Sequence, residues 1–137
     1  LNSLIGEMLS VGSQIHCLRD ATRGGIATVL NEFAQDSGVC IHLWEQQIPV
    51  REVVQGVCEI LGLDPLYLAN EGTLVAVVPA DQAELVLSIM CTHPAGQHSC
   101  QIGSVSESPK GRVILQTPFG GERVVDVLYG EQLPRIC

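Results

Sequence analysis

Three short stretches carry the residue types that chemistry needs. The first, Arg19-Asp20-Ala21-Thr22-Arg23-Gly24-Gly25, sets an acid, a hydroxyl, two arginines and two glycines directly before an apolar pattern of helical period. Paired glycines let the backbone approach a ligand closely, and the amides and dipole of a following helix favour an anion. Arg19 and Arg23 could add fork-shaped contacts to a phosphate. A plainer reading stays open, in which Asp20 or Thr22 caps the helix and the arginines pair with nearby acids. The stretch is not a P-loop, because the GxxxxGK pattern is absent.

Asn70-Glu71-Gly72 is the second stretch, placed where a loop enters the most apolar run of the chain, Thr73 to Val78. A carboxylate there is costly to bury unless it is paired; partly desolvated, it becomes a better base near neutral pH. The alternative is an ordinary turn with a solvated Glu71. The third stretch is Gly130-Glu131-Gln132-Leu133-Pro134-Arg135-Ile136-Cys137. Gly130 offers a hinge, while Pro134 fixes one backbone angle and biases Leu133 towards an extended shape. Seven extended steps reach roughly 25 Å, enough to carry a thiol from one domain into a pocket on another. It reads as a swinging arm with a reactive sulfur at its tip, against the plain alternative of a frayed end. A prenyl anchor does not fit, since those motifs place further residues after the cysteine.

The other cysteines and histidines carry less. Six cysteines, none in a CxxC spacing, are too sparse for a disulfide scaffold and suit a reducing, cytoplasmic compartment. Cys40 and Cys58 sit in apolar patterns and read as small core residues. Cys91, His93, His98 and Cys100 cluster in sequence, but their spacing is not a usual structural-zinc pattern, so no metal is expected. His16 and His42 lie in strand patterns, where histidine is more often structural; His16 stays a candidate because it leads into the first stretch.

The elements that must position these residues follow from periodicity. Helices are expected over 1–12, from Ile26 to about Asp36, over 50–61 and over 80–91. Strands are expected over 15–18, 39–44 and 73–78, the last a central strand buried on both faces, with strand-like chain from 97 to 105 and a hairpin pairing 111–117 with 123–127. The alternation implies an α/β or α+β fold with helices packed on a mixed sheet. One domain accounts for 137 residues. Apolar residues make up 46% and charged ones 16%, which hints at surface meant to be covered. A net charge of −8, with Lys110 the sole lysine, argues against nucleic acid and anionic membranes. No signal peptide or bilayer-spanning run is present in the chain, which opens on Leu1 within an apolar pattern and reads as a piece of a longer protein.

Taken together, Arg19-Asp20-Ala21-Thr22-Arg23-Gly24-Gly25, Asn70-Glu71-Gly72 and the Pro134-Arg135-Ile136-Cys137 ending resemble the HypE family of hydrogenase maturation proteins. That family belongs to the PurM (AIR synthetase) superfamily. The Asp-x-Thr-Arg-Gly-Gly form marks the superfamily, and the Cys-terminal ending marks HypE. The resemblance covers the whole chain but only the C-terminal half of the family protein. It implies an α+β PurM C-terminal-domain-like fold over residues 1–129, with 130–137 as a flexible tail and the N-terminal ATP-binding domain absent. It further implies that Cys137 accepts a carbamoyl group from the carbamoyltransferase HypF. ATP-dependent dehydration then yields a thiocyanate for an iron on the HypC–HypD scaffold, destined for nickel–iron hydrogenase. By the same resemblance Glu71 is the essential glutamate flanked by Asn70 and Gly72, with Arg19, Asp20, Thr22, Arg23, Gly24, Gly25 and His16 on the phosphate side. ATP and Mg2+ would be bound mainly by the N-terminal half, and the whole protein would be a homodimer; the fragment alone would be inactive. Ala21 stands where many relatives carry proline, which should loosen the loop without removing a polar group. Another PurM-superfamily ATP enzyme, or a non-catalytic docking domain for hydrogenase-assembly partners, are the rival readings.

Overall fold

The computed structural model describes residues 1–10 and 14–127. Helix α1 (Asn2–Ser10) precedes strand β1 (Cys17–Asp20), helix α2 (Gly25–Ser37) and strand β2 (Cys40–Trp44). Helix α3 (Glu52–Leu61), a 3-10 turn at Pro65–Tyr67, strand β3 (Leu74–Val77) and helix α4 (Ala83–Thr92) follow. Strands β4 (Gly103–Ser106), β5 (Arg112–Gln116) and β6 (Glu122–Val124) close the described chain. A four-stranded sheet runs in the order β4-β2-β5-β6, with β2 parallel to β5 and the other pairs antiparallel. It is the mixed sheet expected of an α+β domain.

Helix α2 lies on this sheet. Ala27, Leu30 and Ala34 recur on one face of the helix and meet Ile41, Leu43, Val113 and Leu115 in the main core. Burying one such leucine contributes about 2 kcal/mol, so this face holds α2 in place without a strong terminal cap. A second, smaller core joins Leu4 and Met8 of α1 to Val86 of α4.

Strand β3 sits between the two cores, and here the expected arrangement changes. Val75 faces the main core, while Leu74, Ala76 and Val78 pack on the smaller one. Both faces of the apolar run are therefore used, as the pattern predicts. Yet among the described residues β3 is not central: it pairs only with β1, in a separate antiparallel ribbon. Strand β1 also falls later than the apolar residues 15–18 suggest. The β3 backbone supplies a ladder that continues to Arg19 opposite Val75 and Asp20 opposite Leu74, so two polar residues join the strand. In the chain from 97 to 105 the strand begins only at Gly103, with Ile102 O already accepting from Trp44 N, because Ser99 N first turns back onto Gly96 O.

Cys40 and Cys58 are buried, as their patterns predict. Burial raises the Cys40 thiol pKa, which suits a core residue more than a nucleophile. In the Cys91–Cys100 loop, His93 Nε2 lies 3.0 Å from Ser3 Oγ and its Nδ1 accepts from the Ala95 amide. The two thiols donate to Ser99 O and Gln47 O. Among the described residues no group of three or more His, Cys, Asp or Glu is arranged to hold a metal ion. No helix among them is long and apolar enough to cross a membrane.

Candidate functional site

The start of α2 is built from two consecutive glycines at positive φ, Gly24 at 68° and Gly25 at 62°. Left-handed backbone costs other L-residues about 1–2 kcal/mol each, and space forbids a side chain here as well. A Cβ on Gly25 would overlap the carbonyl oxygens of Leu66 and Leu68, and one on Gly24 would overlap the Thr28 side chain. Close approach of backbone is thus used by the protein itself, to seat α2 against the Pro65–Tyr67 turn.

Neither Asp20 nor Thr22 caps α2. The N-cap is Gly24, with no side-chain hydrogen bond. Thr28 N reaches Gly24 O, but among the described residues no acceptor meets the amides of Gly25, Ile26 and Ala27. Such orphan donors at the positive end of a helix dipole form an anion-receptive group. The two arginines divide. Arg19 Nη1 pairs with Glu32 Oε2 on the exposed surface, as the plainer reading expected, whereas Arg23 is exposed and has no ion pair among the described residues.

The second stretch is brought to the first through the backbone. Asn70 N donates to Ala21 O at 3.1 Å, and Ala21 N donates to Thr73 O at 3.0 Å. The Asn70–Gly72 loop is therefore clasped around one buried residue of the Arg19–Gly25 stretch. This corrects the expectation for Ala21. The position is fully buried, and its N–H, which proline would lack, holds the loop rather than loosening it. Asn70, Glu71 and Gly72 are themselves exposed, and Glu71 forms no hydrogen bond or ion pair among the described residues. His16 is not brought to this end. It lies before the first residue of β1, about 13 Å of strand from Asp20, with its amide on Val77 O. Cys137 and residues 130–137 lie outside the described residues.

Three side chains that the sequence did not single out tie the site to its surroundings. Asp64 accepts from Leu66 N at 2.9 Å and from Arg123 Nη2 at 2.6 Å, joining the Pro65–Tyr67 turn to β6. Tyr67 Oη donates to Asp126 O, and Asn31 on α2 donates to Val125 O. Burial, then the nearby Asp64 carboxylate, raise the Tyr67 pKa above its ordinary value; Arg123 opposes and Asp126 adds to the rise. The signal for Asn31 was present, a polar residue on the apolar stripe four positions after Ala27. Tyr67 gave none beyond its place in the stretch before Asn70. A cavity of about 510 Å³ borders the Asp64–Arg123 pair and is lined also by Ile48, Val50, Leu63 and Pro65.

An uncapped glycine-led helix start clasped to an acidic loop, beneath a mixed sheet, defines a class. Residues 2–116 match the family described as AIR synthase related protein, C-terminal domain, and the chain belongs to that family. Within it, the relatives that the chain resembles are HypE proteins. It is 53% identical to the carbamoyl dehydratase HypE of Azotobacter vinelandii over all 137 residues, which is 40% of that protein. The structure superposes on hydrogenase maturation protein HypE in complex with ATP with a TM-score of 0.93 and 45% identity, covering all of this chain and 42% of that one. For HypE in a HypE–HypF complex the TM-score is 0.88 at 44% identity, over 93% of this chain and 41% of that one. The chain thus spans about two-fifths of the relatives it matches.

Proposed function

We propose that the chain is the C-terminal domain of an ATP-dependent carbamoyl dehydratase, with Cys137 as carrier of the carbamoyl group. The observation that carries this reading is the clasp of Asn70–Gly72 around Ala21, which sets a carboxylate loop beside the unpaired amides of α2. In this reading Cys137 Sγ bears the S–CO–NH2 group delivered from a HypF-type carbamoyltransferase. The γ-phosphoryl group of ATP passes to the carbonyl oxygen, releasing ADP. Two protons leave the nitrogen, the carbon–oxygen bond breaks with phosphate departing, and S–C≡N remains on Cys137. Glu71 takes at least one of those protons. The amides of Gly25 to Ala27, with Arg23, stabilise phosphate charge, while Arg19, Asp20, Thr22, Asn70 and Gly72 shape the wall around it.

Closure against water matters because an activated carbamoyl group hydrolyses readily. Glu71 is exposed in this chain, so the N-terminal domain must supply that closure along with most contacts to ATP and Mg2+. The thiocyanate then passes to iron on a HypC–HypD scaffold for nickel–iron hydrogenase. The whole protein acts as a cytoplasmic homodimer, and the 137-residue chain alone is inactive.

Intact mass of the full-length protein, after incubation with HypF, carbamoyl phosphate and ATP, tests this. The expected course is a carbamoyl adduct on Cys137 followed by loss of one water. Glu71→Gln should accept the adduct and stall before dehydration. An adduct that survives Cys137→Ala sinks the carrier assignment, and normal water loss in Glu71→Gln removes Glu71 as the base.

A further inference from the structure

Val125 and Asp126 are held by three different elements. Val125 is fully buried in the main core, and its amide donates to Val113 O at 2.9 Å, one step past the β5–β6 ladder. Its carbonyl accepts from Asn31 Nδ2 at 2.8 Å, and the next carbonyl, of Asp126, accepts from Tyr67 Oη at 2.8 Å. Asn31 is 3% exposed and also donates to Ala27 O at 2.9 Å, which fixes its orientation on α2. Among the described residues it is the one polar side chain that is buried. A buried amide is costly unless bonded, and this one is bonded to the main chain where the C-terminal segment departs.

The two donors come from the elements that build the candidate site. Asn31 lies on α2 about 9 Å along the helix from Gly25, and Tyr67 lies in the turn that packs on Gly25 and leads to Asn70–Gly72. We infer that Asn31 and Tyr67 are positioning residues, which root the C-terminal arm by fixing Val125–Asp126 at a set place beside the site. The arm's cargo rests on the function proposed above, whereas the root does not. Eleven residue steps from Asp126 to Cys137 can span at most about 36–40 Å, about four times the ~9 Å that separate Asn31 from Gly25 along α2. A fixed root sets the point from which that length is counted. Releasing the root lengthens the tether back towards β6, and effective concentration falls with roughly the −3/2 power of tether length.

The test uses the full-length protein with Tyr67→Phe, which removes one oxygen, and Asn31→Ala. Hydrogen exchange of the Val125–Val127 amides should quicken about three- to tenfold in each variant, as expected for one lost hydrogen bond. The kcat for water loss from carbamoylated Cys137 should fall about 1.3-fold, because the tether lengthens from about eleven steps beyond Asp126 to about thirteen beyond Val124, with KM for ATP unchanged. A purely structural lesion would instead move ATP binding together with kcat. Should Asn31→Ala fail to fold, Tyr67→Phe carries the test alone. Unchanged exchange at Val125–Val127 overturns the root, and faster exchange with unchanged kcat overturns the positioning role. If the unaltered protein never acquires a carbamoyl group, the cargo reading fails and the exchange measurement by itself decides the root.

Discussion

Helices α2 and α3 are neighbours in sequence with comparable apolar periodicity, yet the fold treats them oppositely. In α2, Gly25, Ala27, Val29, Leu30, Asn31 and Ala34 are buried. In α3 only Cys58 is, while Val53 and Ile60 stand 79% and 85% exposed with Val57 and Leu61 beside them. The difference lies in what each helix end meets. Gly25 is jammed against the carbonyls of Leu66 and Leu68, whereas Gly62, which ends α3 at a φ of 67°, has open space where a Cβ would be. A helix that carries the site is locked at its start; the helix with the more obvious apolar stripe is hardly engaged by the rest of the described chain.

The largest effect that could break this comparison comes from those two glycines. Gly25→Ala combines left-handed strain with forced movement of two carbonyls and should cost about 3 kcal/mol. Gly62→Ala carries the conformational cost alone, about 1 kcal/mol. Urea unfolding of the 137-residue chain measures both. Equal losses would show that the contact with Leu66 and Leu68 does not lock α2.

Much of this contrast was legible in the sequence, and the reasons differ by residue. Gly24-Gly25 before an apolar pattern announced close backbone approach. The mixed sheet and all four helices follow from periodicity. The clasp through Ala21 was not legible, because main-chain hydrogen bonds carry no side-chain signature. The polar residues Arg19 and Asp20 hid the true extent of β1, since ladder pairing with β3 sets it. Val53, Val57, Ile60 and Leu61 mark α3 as a helix, but such a stripe says that a face is apolar and not what covers it. Glu71 was singled out for a desolvated role, and in this chain it is exposed. The proposed arm at 130–137 lies outside the described residues.

A smaller effect tests the locked side of the comparison through pH. The Tyr67 phenol is neutral when protonated, and the fold raises its pKa by burial first and by the Asp64 charge second. The neutral hydroxyl that donates to Asp126 O is thus favoured by folding. Its contribution is fully present below the ordinary phenol pKa of about 10 and is lost as pH rises through the higher folded value. In a Tyr129→Phe background Tyr67 is the remaining tyrosine. Ultraviolet titration should then place its ionisation above that of a free phenol, and unfolding experiments should show extra stability loss there that Tyr67→Phe lacks. A phenol titrating at its ordinary pKa would mean that the contact with Asp126 is not held in solution.

The smallest expected effect belongs to α3. Ile60 is nearly as accessible in the folded chain as in the unfolded one, so Ile60→Ser removes little burial and swaps one middling helix former for another. Stability of the 137-residue chain should move by no more than about 0.5 kcal/mol in urea unfolding. Cys58→Ser on the opposite face of the same helix, a buried sulfur replaced by a hydroxyl, should cost about 1–3 kcal/mol. The pair of variants separates the two faces of one helix with the backbone held constant. If Ile60→Ser costs as much as Cys58→Ser, the outer face of α3 is covered in solution by something other than the described residues. The contrast with α2 would then reflect which part of the protein is present, not how this domain is built.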